Sequence, residues 1–478
     1  MKTFLRLPVC GILLAAAACG DSSDGLDAQA WAESDIGAVE SASEALGAAP
    51  SGYGFAPVMT SGDTAPGGGT VYYSFHADQL TQDGDVIFST WLENLGAGFY
   101  RTNDGALELL GRAGDEAPGD VKYGVCMSWY SGSMNEAGDS TFGFFIDGIP
   151  TEGRPSGGNT GTFRVDSDGV KTALLLPDTT LAPNGKPFHG TTLRTSINNK
   201  GDVVFHGIIE TDEGIHMPSE EYHGLGMGVF MADSDNTIKS LVSPGDPAPG
   251  GGTFDFAENA FMNERGDVAF GAHVAGEECR LLGHSQAQRI FCGESVYLRK
   301  KDGTITSIAH QDDAAPGGGT YRLAFGPVLN NRGDILFIGD LTPAPDLFTS
   351  LGVFLHRRGK TVAVARPGDA MPGGGNLVSA SGYISGYDLS DNGQVVFFAQ
   401  LDTDEDGDTK PDTGIYAWRN EVVHLIARTG TQIPNLGTVQ KVANGSGYGI
   451  TNNNSGQVAI PVHLTDGKKA LVIATPQY

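Results

Sequence analysis

The sequence predicts an all-β fold: a seven-bladed β-propeller with four-stranded blades. Three observations lead to this prediction. A short motif occurs seven times, its copies lie about 60 residues apart, and strand-like segments fall in fours between them. A period of this length is typical of propeller blades and too long for one coil of a β-helix.

The repeated motif contains an apolar residue, Asn or a substitute, two polar residues, Gly, then Asp or Gln, and an apolar run ending in Phe. An Asn side chain can cap its own turn, and Gly adopts positive φ without a Cβ clash. The following run is rich in residues typical of strands. We therefore predict a β-hairpin at every copy, with structural roles for its Asn and Gly. The copies are LTQDGDVIF (80–88), MNEAGDSTF (134–142), INNKGDVVF (197–205), MNERGDVAF (262–270), LNNRGDILF (329–337), LSDNGQVVF (389–397) and TNNNSGQVAI (451–460).

A second phrase, rich in Pro and Gly, recurs between the hairpins, as in SGDTAPGGGT (61–70) and PGDPAPGGGT (244–253). Pro and Gly stop strands, so each repeat should end in a wide turn. An Asp in this turn would accept backbone N–H bonds, an interpretation that we prefer to a ring of carboxylates attracting cations. The residues concerned are Asp63, Asp115, Asp178, Asp246, Asp313 and Asp369.

The two ends of the repeat region predict how the ring closes. The seventh repeat has candidate strands near Val439, near Val458 and at residues 470–474, and no fourth. Residues 54–69 form a strand and a wide turn without a preceding hairpin. We predict that residues 54–60 pair with 471–474 as the outer strand of the last blade, which removes the exposed sheet edges.

The N-terminal residues predict export. Residues 1–18 have the basic start, apolar run and small residues of a signal peptide. Cys19 would be the lipidated first residue of an outer-membrane or cell-surface lipoprotein; the alternative is cleavage after Ala18 and release into the periplasm or medium. Residues 19–50 are acidic, rich in Ala, Ser and Gly, and predict a disordered tether. The propeller would occupy residues 51–478.

The charge of the chain excludes one class of partner. The formal net charge is −27 at pH 7. Nucleic-acid binding needs clustered Lys and Arg, so we expect no nucleic-acid partner. We expect a monomer that contacts a membrane only through its lipid anchor.

The longest insertions fall between the second and third strands of the blades. Because strand direction alternates, these loops and the wide turns should share one face, which we call the insertion face. Function in such scaffolds is carried by variable loops on a rigid frame. The insertions are 147–159, 209–225, 275–293, 341–350 and 402–413.

One insertion carries a candidate metal site. Alternate carboxylates followed by Gly predict a calcium loop, since hard oxygen ligands suit a hard cation. Thr413 stands where an EF-hand would need Glu, so the loop is closer to short Asp-rich calcium loops, and a solvated acidic loop is the alternative. The proposed ligands are Asp402, Asp404, Asp406, Asp408 and Asp412. In another insertion, His216, Glu220 and His223 match no zinc signature, and we interpret them as a polar loop.

Three cysteines follow Cys19. Cys279 and Cys292 flank the insertion of the fourth repeat, and export favours a disulfide between them. Cys126 lies on a predicted inner strand, where a buried, unreactive thiol is the simpler interpretation.

The seven copies resemble the repeats of bacterial surface-anchored tandem-repeat proteins, the choice-of-anchor repeat class, whose motif is Asn-x-x-Gly-x-x-x-Phe. The similarity covers residues 54–478, with Thr81 and Ser390 in place of Asn and Ile460 in place of Phe. It implies a surface-anchored β-repeat protein and supplies no catalytic residue.

The sequence contains no nucleophile elbow, P-loop, dinucleotide-binding fingerprint or kinase motif set. We therefore expect a binding or structural module rather than an enzyme, one that presents its insertion face to a glycan, peptide or protein partner. The alternative is a propeller hydrolase or lyase with a metal-assisted carboxylate site on that face. Converging titratable groups with shifted pKa values would favour this alternative.

Overall fold

A computed structural model describes residues 50–478 except 128–131, 150–158, 192–193, 212–224, 278, 283–288, 293, 345–348, 381–385 and 443–448. Every regular element in these residues is a β-strand. Within them, no helix has the length and apolar character needed to cross a bilayer. The strands form the seven-bladed propeller that the repeats predict, with the strands of blades 1 to 6 following one another along the chain.

The strand bounds are as follows. Strand β1 is Gly52–Thr60, and blade 1 has β2 (Val71–Leu80), β3 (Val86–Leu92), β4 (Gly96–Asn103) and β5 (Ala106–Arg112). Blade 2 has β6 (Glu116–Ala117), β7 (Val121–Met127), β8 (Ser133–Met134), β9 (Ser140–Ile146), β10 (Thr160–Val165) and β11 (Lys171–Leu175). Blade 3 has β12 (Gly190–Thr191), β13 (Ser196–Ile197), β14 (Val203–Glu210), β15 (Leu225–Ala232) and β16 (Ile238–Val242).

Blade 4 has β17 (Phe254–Met262), β18 (Val268–Val274), the ribbon β19 (Cys279–Leu282) and β20 (Arg289–Cys292), β21 (Ser295–Arg299) and β22 (Ile305–Ala309). Blade 5 has β23 (Tyr321–Leu329), β24 (Ile335–Leu341), β25 (Leu351–Arg357) and β26 (Lys360–Ala365). Blade 6 has β27 (Leu377–Ala380), β28 (Tyr387–Leu389), β29 (Val395–Leu401), β30 (Thr413–Arg419) and β31 (Val422–Arg428). Blade 7 has β32 (Gln432–Ile433), β33 (Gly437–Val442), β34 (Thr451–Asn452), β35 (Val458–Leu464), β36 (Lys469–Gln477) and, completing it, β1.

The ring closes as predicted, with the N-terminal strand as the outer strand of the last blade. Strand β1 pairs antiparallel with β36, and Phe55 lies opposite Ala474 while Met59 lies opposite Leu471. The last blade therefore draws strands from both ends of the propeller. This pairing occupies an edge of β36 that would otherwise be free to bind another chain.

The motif Asn performs two structural tasks, of which the sequence predicted the first. Asn330 Oδ1 accepts the backbone N–H groups of Arg332 and Asp334 at 3.0 and 2.9 Å, which braces the hairpin turn. Its Nδ2 also donates to the carbonyl of Ser390 in the next blade at 3.1 Å. The motif therefore shapes one blade and ties it to its neighbour.

Four of the six predicted Asp residues brace their wide turns as predicted. Oδ2 of Asp63 accepts the N–H of Thr60 at 2.7 Å, and Oδ2 of Asp313 accepts that of His310 at 2.8 Å. Asp246 and Asp369 make the same contact. These four carboxylates brace the turns that precede the inner strands of blades 1, 4, 5 and 6.

The core is distributed over the seven seams between blades. In the described residues there are seven buried apolar clusters, each with members from two adjacent blades. The motif Phe supplies much of this core: Phe337 is fully buried, and its ring centroid lies 5.7 Å from those of Tyr321 and Phe354. Truncating such a residue to Ala typically costs about 3–5 kcal/mol.

Candidate functional site

Three carboxylates of the predicted calcium loop lie together. In the loop between β29 and β30, oxygens of Asp404, Asp406 and Asp408 all lie within 4.8 Å of one another, and all three residues are exposed. Backbone N–H groups of the same loop hold two of them, since Thr409 donates to Asp404 at 3.1 Å and Asp408 donates to Asp406 at 3.2 Å. Three exposed carboxylates offer donors for a hard divalent cation without selecting calcium among such cations.

The other two predicted ligands have structural roles. Asp402 accepts the backbone N–H of Asn376 at 2.6 Å and its side-chain amide at 2.8 Å, which ties the insertion to a wide turn. Asp412 is buried, accepts the Thr403 hydroxyl at 2.6 Å and lies 3.4 Å from Arg428. The five residues thus divide into a cluster of three and two anchors for the loop.

The predicted cysteine sites are only partly within the described residues. Cys279 and Cys292 occupy directly opposed positions of the antiparallel ribbon formed by β19 and β20. Cys19 lies outside the described residues, as does the group His216, Glu220 and His223.

A second group of titratable side chains converges on the inner strands, and the sequence analysis did not find it. Asn259 on β17 donates through Nδ2 to Glu258 Oε1 at 3.3 Å and to Glu294 Oε1 at 3.5 Å. Two carboxyl groups are therefore held against one amide nitrogen. Both glutamates are half-buried, and Glu294 ends the long insertion of blade 4. We call Glu258 and Glu294 the carboxyl pair and the side-chain amide of Asn259 the bridging amide.

Local backbone features allow this convergence. Asn259 has a φ of 52°, a left-handed conformation at an irregularity in the pairing of β17 with β18. Asn tolerates this conformation better than most residues. Gly271 on β18 leaves room for Glu294, because a Cβ at that position would lie 1.9 Å from Glu294 Oε1.

The surroundings keep protons on the carboxyl pair. Burial raises the pKa of Glu258 to about 7. Burial, followed by the charge of Glu258, raises the pKa of Glu294 well above its ordinary value, although hydrogen bonds from Asn259 and the Gly326 backbone oppose this. Desolvation disfavours the charged form, and two nearby like charges disfavour it further. Both effects favour the protonated form of each carboxyl group.

Three neighbouring blades add further polar groups: a guanidinium from blade 3, a backbone carbonyl from blade 5 and two side chains from blade 6. Tyr387 donates its hydroxyl to the carbonyl of Gly326 at 2.6 Å, the same residue whose backbone N–H faces Glu294. The guanidinium carbon of Arg194 lies 5.9 Å from the centre of the Tyr387 ring. Burial raises the pKa of Asp388, and hydrogen bonds and the charge of Arg194 oppose the rise.

This arrangement can bind and exchange protons with a polar ligand. A protonated carboxyl group donates a hydrogen bond and a carboxylate accepts one, so the pair offers both at adjacent positions. Arg194, beside the Tyr387 ring, offers a permanent positive charge. Together these residues form the candidate functional site of the described part of the chain.

One sequence signal marks this site. Strand β17 carries the adjacent polar residues Glu258 and Asn259 within an otherwise largely apolar segment. A search for repeated features passes over such a local pattern.

The comparisons with known proteins assign a family. A family model described as a family of unknown function, DUF7453, matches residues 34–475. The chain belongs to this family. A search of curated proteins finds no match.

Solved structures show similarity of fold only. An oligogalacturonate lyase from Vibrio parahaemolyticus is 12% identical with a TM-score of 0.47, and the match covers 90% of this chain and 98% of that one. A puromycin hydrolase is 12% identical with a TM-score of 0.46, covering 82% of this chain and 50% of that one. An oligogalacturonate lyase in complex with manganese is 12% identical with a TM-score of 0.43, covering 89% and 98%.

Proposed function

We propose that the protein is an exported β-propeller that binds a polar ligand, and that a glycan is the ligand class best suited to its site. The observation that carries the proposal is the carboxyl pair, in which Glu258 and Glu294 share the amide of Asn259. Burying two carboxyl groups side by side costs stability unless they keep a proton. A site that tolerates this cost is a candidate for function rather than for folding.

The chemistry of the site favours hydroxyl groups as its partners. Neighbouring hydroxyls of a sugar both donate and accept hydrogen bonds, and the carboxyl pair with its bridging amide offers the complementary groups. Arg194 would add selectivity for a ligand that carries a negative charge or an oxygen-rich edge. A peptide or a protein partner would reach the same site through backbone amides.

We further propose that Cys19 carries a lipid and that the chain is a surface-anchored member of the choice-of-anchor repeat class. The motif copies and the small residues before Cys19 support this. Membrane fractionation of cells that express the wild type and Cys19→Ser tests it: the variant should move to the soluble fraction. Equal membrane retention of both chains, with no lipid label on the wild type, would count against anchoring.

A hydrolase or lyase is the second candidate function. The raised pKa of Glu258, about 7, favours it, because a carboxyl group that is half protonated at neutral pH suits general acid–base catalysis. Glu258 and Glu294 would supply the acid and the base. The exposed Asp404 cluster would be a separate cation site on the insertion face.

A binding screen with paired variants tests the proposed function. Glycans and small metabolites are scored by the rise in melting temperature of the wild type, Glu258→Gln and Glu294→Gln, with the exposed Glu93→Gln as control. We expect at least one glycan to stabilise the wild type and the control, and to lose most of this effect with both pair variants. Ligands that stabilise all four proteins equally would contradict the proposal. Product formation from the same glycans separates an enzyme from a binding module.

A further inference from the structure

Three basic residues form a row across the last blade. Lys441 on β33 lies directly opposite His463 on β35, and His463 lies directly opposite Lys469 on β36. Directly opposed residues of antiparallel strands point to the same side of the sheet, so the three side chains stand side by side. We call Lys441, His463 and Lys469 the basic row.

Burial and neighbouring positive charge act together on two members of the basic row. Burial, followed by the charges of Lys441 and Lys469, lowers the pKa of His463 to about 3. Burial and then the charge of Lys441 also lower the pKa of Lys469. The two lysines flank His463 on either side, and their like charges repel each other across it. This concentration of basic groups occurs in a chain with 57 acidic and 30 strongly basic residues.

At the seam between blades 7 and 1 the exposed ring of Tyr73 adjoins the row, and the exposed ring of Tyr72 lies next to it. The Lys469 ammonium lies 4.0 Å from the centre of the Tyr73 ring. Tyr72 and Tyr73 are 64% and 43% exposed, and their ring centroids are 6.3 Å apart. Apolar ring faces left open to solvent beside a cationic group are more typical of a binding surface than of packing.

We propose that the basic row and the two tyrosines form a binding site for acidic saccharides. The carboxylate of a uronic acid residue binds Lys441 and Lys469, while the C–H face of a sugar ring packs on Tyr72 or Tyr73. The rings of Tyr72 and Tyr73 favour this ligand over an inorganic anion, which would contact only the lysines. The site lies on blades 7 and 1, whereas the carboxyl pair belongs to blade 4.

Calorimetry with matched ligands tests the proposal. A mannuronate trisaccharide is titrated into the wild-type chain, and its methyl ester serves as an uncharged ligand with the same rings. We expect binding of the uronate and at least tenfold weaker binding of the ester. Sulfate should bind at least tenfold more weakly than the uronate. No binding of the uronate at millimolar concentration, or equal binding of ester or sulfate, would overturn the assignment.

Variants then locate the binding site. Lys469→Gln and Lys441→Gln should each weaken uronate binding at least tenfold, while Lys239→Gln, which removes an exposed lysine on blade 3, should not change it. Tyr72→Ala, at an exposed position, should weaken binding about fivefold or more without unfolding the chain. Wild-type affinity in Lys469→Gln and Tyr72→Ala would overturn the proposal.

The proposed function is tested separately by this design. Glu258→Gln should bind the uronate at the seam as tightly as the wild type does. Loss of uronate binding in Glu258→Gln with retention in Lys469→Gln would place the ligand at the carboxyl pair and overturn the seam site.

Discussion

The side-chain amide of Asn453 donates a hydrogen bond to the carbonyl oxygen of Thr81 at 2.9 Å, although 372 residues separate them. This contact joins the last hairpin to the first. The adjacent residue repeats the connection, since the N–H of Asn454 donates to the side chain of Gln82 at 2.9 Å. The propeller is therefore closed twice, by these hairpin contacts and by the pairing of β1 with β36.

The first prediction concerns this hairpin contact. Asn453→Ala should lower the free energy of unfolding by about 1–3 kcal/mol, because it leaves buried backbone groups without partners. Asn453→Asp keeps the oxygen that braces its own turn but loses the donor to Thr81, so it should also destabilise. Urea unfolding measures both variants, with the exposed Asn103→Ala as control. Wild-type stability of Asn453→Asp would show that the contact with Thr81 contributes nothing.

The second prediction concerns the Asp404, Asp406 and Asp408 cluster. A divalent cation that binds only the folded loop should stabilise the protein by about 2.7 kcal/mol at a hundred times its dissociation constant. Calorimetric melting with calcium, manganese, magnesium or chelator measures this effect. Asp404→Ala combined with Asp406→Ala should abolish it, whereas the exposed pair Asp168→Ala and Asp235→Ala removes the same charge and should leave it intact. Melting that is indifferent to all three cations would identify a plain acidic loop.

The third prediction concerns the ribbon of blade 4. Cys279 and Cys292 are opposed in register, a placement compatible with a disulfide in an exported protein. Peptide mapping without reductant should recover the two as one linked peptide, with Cys126 alkylated as a free thiol. Alkylation of all three would rule out the bond.

The fourth prediction concerns stability and pH. Burial raises the pKa of Glu258 to about 7 in the folded state, so the folded chain binds more protons than the unfolded chain between the two pKa values. The stability contributed by this group is present below the ordinary pKa of Glu, about 4.3, and is lost as the pH rises through 7. The double variant Glu258→Gln with Glu294→Gln should therefore gain stability relative to the wild type between pH 5 and 8. Parallel stability profiles of the two proteins would contradict the raised pKa.

The sequence predicted what the repeat encodes. Residues equivalent to Asn330 and Gly333 recur in the motif copies because every hairpin needs the same turn geometry. Their repetition makes this requirement recognisable in the sequence. The ring closure followed from counting strands at the two ends. The same logic explains why Asp63, Asp246, Asp313 and Asp369 were correctly interpreted as turn residues.

The candidate site is built from residues that occur once. Glu258, Glu294 and Arg194 have no equivalents in the motif copies, and they approach one another only because the ring brings blades 3 to 6 around one centre. Neither spacing nor composition carries that information. The acidic loop could be recognised because its carboxylates lie close together in the sequence. Asp402 and Asp412 nevertheless bind Asn376 and Thr403 and are not part of the cluster.

The measurement that tests the carboxyl pair most directly is a titration of the Glu258 and Glu294 side-chain carbons by NMR in protein with labelled glutamate, assigned through the two Gln variants. We predict that at least one carboxyl group titrates above pH 6. Replacing Glu258 with Gln should lower the midpoint of Glu294, because it removes a neighbouring negative charge. Two independent titrations near the ordinary value of about 4.3 would contradict the account.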